Sequence, residues 1–188
     1  MELRKFIATT IREYLNEHAL NENKINVYHG TNQDFSEFDS NLQNSITGFG
    51  DFGKGFYFTQ SKGIAKYYTL KSKDNRTIIK TTVSINNPFI IDIDGEKFST
   101  ETKEKYMKLK YLQSYEVEII REYIMSDVEF AYKKINKEIG DSRFSDILQD
   151  NGYDGVIVNR TLGGDTSIGA EIVVYNKNQI GNIEVERV

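Results

Sequence analysis

The sequence predicts an α+β fold. Strand-like segments lie near both ends of the chain, a charged helical block lies between them, and strands and helices do not alternate regularly. The chain has 188 residues, of which 38% are hydrophobic and 12% aromatic, enough to bury the core of one domain. Because no linker-like stretch divides it, we expect a single domain over residues 1–188.

The first expected element is a helix over residues 1–22, an appendage to the domain. Apolar and amphipathic side chains recur on one face at steps of three and four residues: Leu3, Phe6, Ile7, Ile11, Tyr14, Leu15 and His18. We expect this face to pack on the body of the domain rather than on a membrane or a partner.

Strands are expected wherever β-branched and aromatic residues are concentrated. Seven segments meet this criterion: 25–29, 55–59, 77–85, 89–93, 155–159, 171–175 and 183–188. A helix is expected over residues 62–71, with Ser61 as its N-cap.

The helical block extends over residues 100–150. Residues 100–138 are charged, rich in tyrosine and free of proline, which predicts one or two helices. Residues 142–150 form a further short helix that ends at Asn151-Gly152. We expect the block to cover the sheet rather than to form a partner surface.

Composition excludes several classes of function. The chain carries 28 acidic and 24 basic residues, so broad adhesion to nucleic acid or to an anionic membrane is not expected. It has no cysteine and two histidines, which excludes thiolate chemistry and a three-histidine metal site. No apolar run approaches the ~18 residues of a membrane span. We expect a soluble protein without a metal.

Two early segments carry side chains suited to chemistry. In the first, residues 27–31, His29 ends a strand and is followed by Gly30 and Thr31; glycine lets a ligand approach the backbone, although a structural histidine before a turn is the simpler interpretation. In the second, residues 48–59, four glycines precede a strand that contains Tyr57. Backbone amides of such a loop can bind an anion, but a mobile surface loop fits equally well.

Two further segments complete the set. Residues 61–68 place Tyr67 and Tyr68 on a helix, where a tyrosine either stacks on a flat ring or packs in the core. In residues 169–175, Glu171 opens an otherwise apolar strand. A carboxylate at this position is costly unless it is solvated or used.

The order of these four segments resembles the ADP-ribosyltransferase superfamily, on the branch with a His-Tyr-Glu triad that includes diphtheria toxin and the poly(ADP-ribose) polymerases. The resemblance extends over residues 25–180 and is strongest in 27–68, where GKGFYF is followed by SKGIAKYY. It implies a split antiparallel β-sheet core with flanking helices.

The resemblance also implies a set of roles around NAD. His29 would bond the adenosine ribose, the backbone of Gly30 would bind the nicotinamide carboxamide, and Thr31 would be a further NAD-binding residue. Tyr57 would be the triad tyrosine, Tyr68 would help to enclose the nicotinamide ring, and Glu171 would stabilise the cationic transition state. His29, Tyr57 and Glu171 are therefore the expected catalytic residues.

The sequence departs from the family pattern in three respects, which restrict the kind of ADP-ribose transfer that we expect. Gly169 stands two residues before Glu171, where the arginine-modifying branch has a glutamate or glutamine, so that branch is disfavoured. Ala65 stands near the position where the polymerases often have a serine. The short chain, without an evident regulatory domain, favours a single transfer over chain elongation.

The main hypothesis is a mono-ADP-ribosyltransferase that uses NAD and modifies a macromolecule, either protein or nucleic acid. By analogy it is a bacterial or phage toxin or effector of the cytoplasm, or one delivered into a host cytoplasm, with an antitoxin or inhibitor as a further partner. Residues 161–168 are the candidate loop for target recognition.

Two alternatives stay open. One is an RNA 2′-phosphotransferase, whose chemistry needs several basic residues; the nearby ones are Lys54, Lys62 and Arg160. The other is a catalytically inactive binding module of the same fold.

Overall fold

The computed structural model describes residues 24–32, 37–38, 50–70, 76–162 and 165–188. The helix expected over residues 1–22 lies outside these ranges, as does Gly48 of the glycine-rich segment. The strands are β1 Lys24–Thr31, β2 Phe56–Phe58, β3 Thr77–Ser84, β4 Pro88–Asp94, β5 Lys97–Phe98, β6 Gly155–Leu162, β7 Asp165–Val174 and β8 Glu184–Arg187. The helices are α1 Lys62–Thr69, α2 Thr100–Met107, α3 Ser114–Met125, α4 Ala131–Ile139 and α5 Asp141–Asp150, with a short 3₁₀ turn at Lys177–Gln179.

The strands form two sheets, which confirms the α+β class and the split sheet. One sheet has the order β1-β3-β8 and the other β2-β7-β6-β4-β5. Neighbouring strands are antiparallel except β4 and β6, which run parallel from the Pro88–Gly155 pair to the Asp94–Thr161 pair. This parallel pair follows from the long connection through α2–α5, because parallel neighbours need such a crossover.

A short backbone bridge joins the two sheets where the first motifs lie. The amide of Tyr28 donates to the carbonyl of Thr59 at 2.7 Å, and the amide of Thr59 donates to the carbonyl of Tyr28 at 2.9 Å. The strand that carries His29 is therefore held beside the strand that carries Tyr57.

Two apolar cores lie on opposite faces of the five-stranded sheet. The core between the sheets contains Val27, Phe38, Phe56, Phe58, Ile79, Val83, Ile85, Ile172 and Val174. The other core lies between the five-stranded sheet and helices α2–α5. Because side chains alternate along β2, Phe56 and Phe58 face the first core and Tyr57 packs against the second.

The helix predictions are confirmed at α1 and α5. The Ser61 hydroxyl accepts a hydrogen bond from the Ile64 amide at 3.3 Å and caps α1. Helix α5 ends at Asp150 with Asn151 as its C-cap, and Gly152 follows in the left-handed region at φ +86°. Residues 100–139 form three helices, so the prediction of one or two was wrong. Tyr111, Asp127 and Phe130 adopt positive φ between them, a conformation that the residue types do not signal.

Strand β7 corrects two sequence expectations. It begins at Asp165, so Glu171 lies within a ten-residue strand rather than opening it. Residues 161–162 and 165–168 belong to the paired strands β6 and β7, so the predicted recognition loop is the end of a hairpin. Within the described ranges, no helix has the length and apolarity needed to cross a bilayer.

Candidate active site

An irregularity in the β6–β7 ladder sets the position of Glu171. Val158 pairs with Glu171 and Arg160 pairs with Ser167, so β7 advances by four residues where β6 advances by two. Gly169 lies in this stretch at φ +59°. Bulged strands bend locally and redirect neighbouring side chains, which is why they recur beside active sites.

The side chain of Asn159 stabilises this irregular stretch. Its Oδ1 accepts a hydrogen bond from the amide of Gly169 at 3.0 Å, and its Nδ2 donates to Oδ1 of Asp92 at 2.8 Å. The positive φ of residue 169 explains why it is a glycine. A left-handed backbone conformation favours glycine over the glutamate or glutamine that the arginine-modifying branch has at this position.

Glu171 forms an ion pair with Arg160. Nη2 of Arg160 donates to Oε2 of Glu171 at 2.8 Å, and the two side chains are 29% and 19% exposed. Nη1 of Arg160 donates to the hydroxyl of Tyr132 at 3.2 Å. Burial opposes the charged guanidinium, but the neighbouring carboxylate and the hydroxyl bond keep the pKa of Arg160 above its ordinary value.

Glu171 and Tyr68 line one cleft. The cleft has a volume of about 350 Å³, at the lower end of the roughly 300–1,000 Å³ usual for ligand pockets. Its lining is formed by Asp51, Ile64, Tyr68, Tyr132, Lys133, Arg160, Ala170 and Glu171. The cleft thus combines an aromatic ring, an ion pair and apolar walls.

Tyr68 remains a neutral phenol in this cleft. The residue is 43% exposed. Partial burial raises its pKa above the ordinary value of 10.0, and the negative charges of Glu171 and Asp51 raise it further, while Arg160 opposes them. The ring is therefore accessible from the cleft and carries no charge at neutral pH.

His29 lies beside Tyr57 and makes contact with its backbone. Nδ1 of His29 is 2.8 Å from the carbonyl oxygen of Tyr57. Because a carbonyl only accepts, Nδ1 carries the proton in this arrangement, and Nε2 of the neutral ring is the acceptor. The ring meets Phe38 and Phe58 edge-on, and burial lowers the pKa of His29 below 6.5. Neutral imidazole is thus the favoured form.

The hydroxyl of Tyr57 is bound by the glycine-rich segment. It donates to the carbonyl of Gly53 at 2.6 Å and accepts from the amide of Phe52 at 3.1 Å. A β-carbon on Gly50 would lie 2.0 Å from this hydroxyl. Burial raises the pKa of Tyr57 well above 10.0. The amide of Phe52 belongs to the segment that was expected to bind an anion. It donates instead to the hydroxyl of Tyr57.

The predicted site residues form two groups. Tyr68 and Glu171 line the cleft, whereas His29, Gly30, Thr31 and Tyr57 are not part of its lining. These four lie on the adjacent strands β1 and β2, where Thr31 is buried. The roles assigned to all six residues stay predictions.

Sequence reasoning missed the other charged and aromatic residues of the cleft. Arg160 was noted only as a nearby basic residue, although a lone arginine at the end of the apolar run GVIV is a usable signal. Tyr132 and Lys133 lie on α4, within the charged block, and carry no motif. Asp51 belongs to the glycine-rich segment and forms a 3.2 Å ion pair with Lys133.

The cleft gives little support to the RNA 2′-phosphotransferase alternative. Of the three basic residues considered for phosphate chemistry, Arg160 alone lines it, and Lys62 is bonded to Glu186 on β8. Among the described residues, no group of three His, Asp or Glu side chains is placed to hold a metal ion.

The chain forms an ADP-ribosyltransferase domain. A family model of ADP-ribosyltransferases in polyvalent proteins matches residues 22–187, and the chain belongs to this family. No curated protein sequence matches it significantly. A chain of the crystal structure of the M. tuberculosis MbcT–MbcA toxin–antitoxin complex aligns with 8% identity over 91% of this chain and 90% of its own, at a TM-score of 0.45. That similarity is too low to support an inference about function.

Proposed function

We propose that this domain transfers one ADP-ribose unit from NAD to a macromolecular acceptor and releases nicotinamide. The bond between ribose C1′ and the nicotinamide nitrogen breaks, and its electron pair leaves with neutral nicotinamide. A nucleophile of the acceptor bonds to C1′ and loses its proton. The observation that carries the proposal is that Glu171 and Tyr68, distant in sequence, line the same cleft of an ADP-ribosyltransferase domain.

The chemistry suits these side chains. Loss of nicotinamide gives C1′ oxocarbenium character, so the carboxylate of Glu171 would stabilise charge that develops in the transition state. In our proposal it also bonds the nicotinamide ribose. Tyr68, whose ring is accessible and uncharged, would stack on the planar nicotinamide.

The remaining contacts to NAD are assigned to β1. His29 would bond the adenosine ribose, which suits an imidazole whose Nε2 is an acceptor. The backbone at Gly30 and Thr31 would bind the carboxamide end. These assignments follow the family pattern, and the position of β1 beside β2 is compatible with them.

The test uses NAD labelled on its adenine side, incubated with the protein and a cell lysate. We expect label to enter macromolecules with the wild-type protein and not with Glu171→Gln, which removes the charge but keeps the shape. Glu184→Gln is the matched control, because Glu184 is an exposed glutamate on β8. Loss of label to protease identifies a protein acceptor, and loss to nuclease identifies a nucleic acid.

Failure of the transfer has two distinct forms. Free nicotinamide without labelled macromolecules means that the domain hydrolyses NAD or lacks its acceptor in the lysate. Intact NAD contradicts the transferase proposal and leaves the binding module. A toxin or effector role and an antitoxin partner stay predictions, for which co-purification from the native host is the direct test.

A further inference from the structure

Arg160 is anchored on the core side of the cleft. Its Nη1 bonds to the hydroxyl of Tyr132 at 3.2 Å, and its Cζ lies 5.2 Å from the centre of the Tyr132 ring and 6.0 Å from that of Phe52. These two rings stack with centroids 5.0 Å apart and planes inclined by 15°. Because both rings are buried, the direction of the guanidinium is set by the core.

Arg160 engages one oxygen of the Glu171 carboxylate. Nη2 donates to Oε2 at 2.8 Å, whereas Oε1 accepts no hydrogen bond from the part of the chain that the structure describes. A carboxylate oxygen has two acceptor sites, and Glu171 lines the cleft. Oε1 therefore keeps both of its acceptor sites for a substrate hydroxyl, whereas Arg160 uses one of the two sites on Oε2.

We propose that Arg160 is a positioning residue for Glu171: it holds Oε2 so that Oε1 meets the ribose of NAD. This inference rests on the proposed function and extends it to a residue outside the His-Tyr-Glu set. The planar fork of an arginine suits the task, since it binds Glu171 through one terminal nitrogen and Tyr132 through the other.

The competing role for an arginine in such a cleft is to bind the phosphates of NAD. The bonds to Tyr132 and Glu171 use one N–H of each terminal nitrogen and fix the plane of the guanidinium against Glu171. This fixed orientation favours action through Glu171. The two roles differ in kinetics, because positioning acts on kcat and phosphate binding acts mainly on KM.

The experiment measures nicotinamide release by the full chain over a range of NAD concentrations. Arg160→Gln should lower kcat by roughly 10- to 100-fold, the range expected from one charge-assisted hydrogen bond that acts in the transition state. KM for NAD should change by much less. Arg160→Lys, which keeps a charged donor, should recover part of kcat. Lys80→Gln on β3 is the control, because it breaks an ion pair on the exposed surface.

Combining substitutions separates positioning from an independent role. If Arg160 acts through Glu171, Arg160→Gln should add little to the loss already caused by Glu171→Gln. Multiplied losses in the double variant, or a raised KM with kcat unchanged, overturn the proposal. Thermal unfolding of each variant shows whether a loss of activity comes from unfolding. If Arg160→Gln is unfolded, the kcat and KM of Arg160→Lys decide between the two roles of Arg160.

Failure of the proposed function gives a different pattern. If the wild-type protein leaves NAD intact, the transferase proposal fails and the role of Arg160 in it fails as well. If the wild-type protein releases nicotinamide and Arg160→Gln does so at the same kcat, the transferase proposal stands and the positioning role alone is wrong.

Discussion

The carbonyl oxygen of Ala65 lies directly against Gly30: a β-carbon on residue 30 would be 1.9 Å from it. Helix α1 therefore packs backbone to backbone on strand β1. This contact determines the position of Tyr68, on α1, relative to His29, on β1. The sequence motif predicts that this glycine lets a ligand approach the backbone. The structure gives it a packing role between two elements that both carry predicted site residues.

Gly30→Ala should destabilise the protein, since the backbone of α1 must move away from β1. Overpacking of this kind costs roughly 1–3 kcal/mol, and urea denaturation measures it. The control is Gly63→Ala on the same helix, where the nearest atom to the new β-carbon is 3.6 Å away. There, alanine should stabilise the helix slightly, by up to ~1 kcal/mol. Equal effects at both positions would contradict the packing argument.

Tyr57→Phe should lower the free energy of unfolding by about 1 kcal/mol, because the amide of Phe52 and the carbonyl of Gly53 lose a shared partner. Tyr67→Phe is the control, since Tyr67 is an exposed tyrosine, and its effect should stay within about 0.5 kcal/mol. Differential scanning calorimetry compares the two variants. An unchanged melting temperature in Tyr57→Phe would show that its hydroxyl does not hold the glycine-rich segment.

Asn159→Ala should reduce nicotinamide release more than stability alone explains. The substitution removes the bonds to Gly169 and Asp92 that hold the irregular stretch before Glu171. We expect a loss of about 1–3 kcal/mol in unfolding free energy and a lower kcat at temperatures where the variant is folded. Asn178→Ala, at an exposed asparagine of the 3₁₀ turn, is the matched control. A folded Asn159→Ala with wild-type kcat would rule out this positioning.

Acid should destabilise the protein through Glu116. This carboxylate is buried, and burial opposes its charge, but bonds from Arg143 and from the amide of Gln113 hold its pKa below the ordinary 4.5. A carboxyl whose pKa is lower in the folded state stabilises the fold above the unfolded pKa, and this contribution is lost as pH falls below about 4.5.

Glu116→Gln should therefore destabilise the protein at neutral pH by about 1–3 kcal/mol and weaken the fall in stability below pH ~4.5. This loss of unfolding free energy is smaller than that expected for breaking a fully buried ion pair, because Arg143 is 30% exposed. Glu104→Gln removes an exposed pair on α2 and should have almost no effect. Chemical denaturation at a series of acid pH values compares the unfolding free energies of the Glu116→Gln and Glu104→Gln variants.

His29 should add a second acid-sensitive contribution at higher pH. Its pKa is lowered by burial, so the folded state binds fewer protons than the unfolded state as pH falls below 6.5. Stability from this source is present above 6.5 and declines below it. His29→Gln should flatten the dependence between neutral pH and about pH 5, and His18→Gln, at the second histidine, is the comparison. An unchanged slope in His29→Gln would show that the pKa of His29 is not lowered in the folded state.

Much of the fold follows from patterns that act locally. The seven expected strands all occur, because β-branched and aromatic runs favour pleated, half-buried segments. The cap at Ser61 and the stop at Asn151-Gly152 depend on a few neighbouring atoms and were predicted correctly. The two-residue strand β5 was not predicted, since a strand so short has no periodicity of its own.

The sequence by itself determined the α+β class, the motifs around His29, Tyr57 and Glu171, and the ADP-ribosyltransferase family. Tertiary structure alone decided three contacts. Arg160 forms an ion pair with Glu171, and Asn159 accepts a hydrogen bond from the amide of Gly169. The carbonyl of Ala65 packs directly against Gly30. The physical reason is that motifs and periodicity record short-range preferences of the backbone. The register of β6 on β7 and the packing of α1 on β1 bring together residues that no local pattern relates.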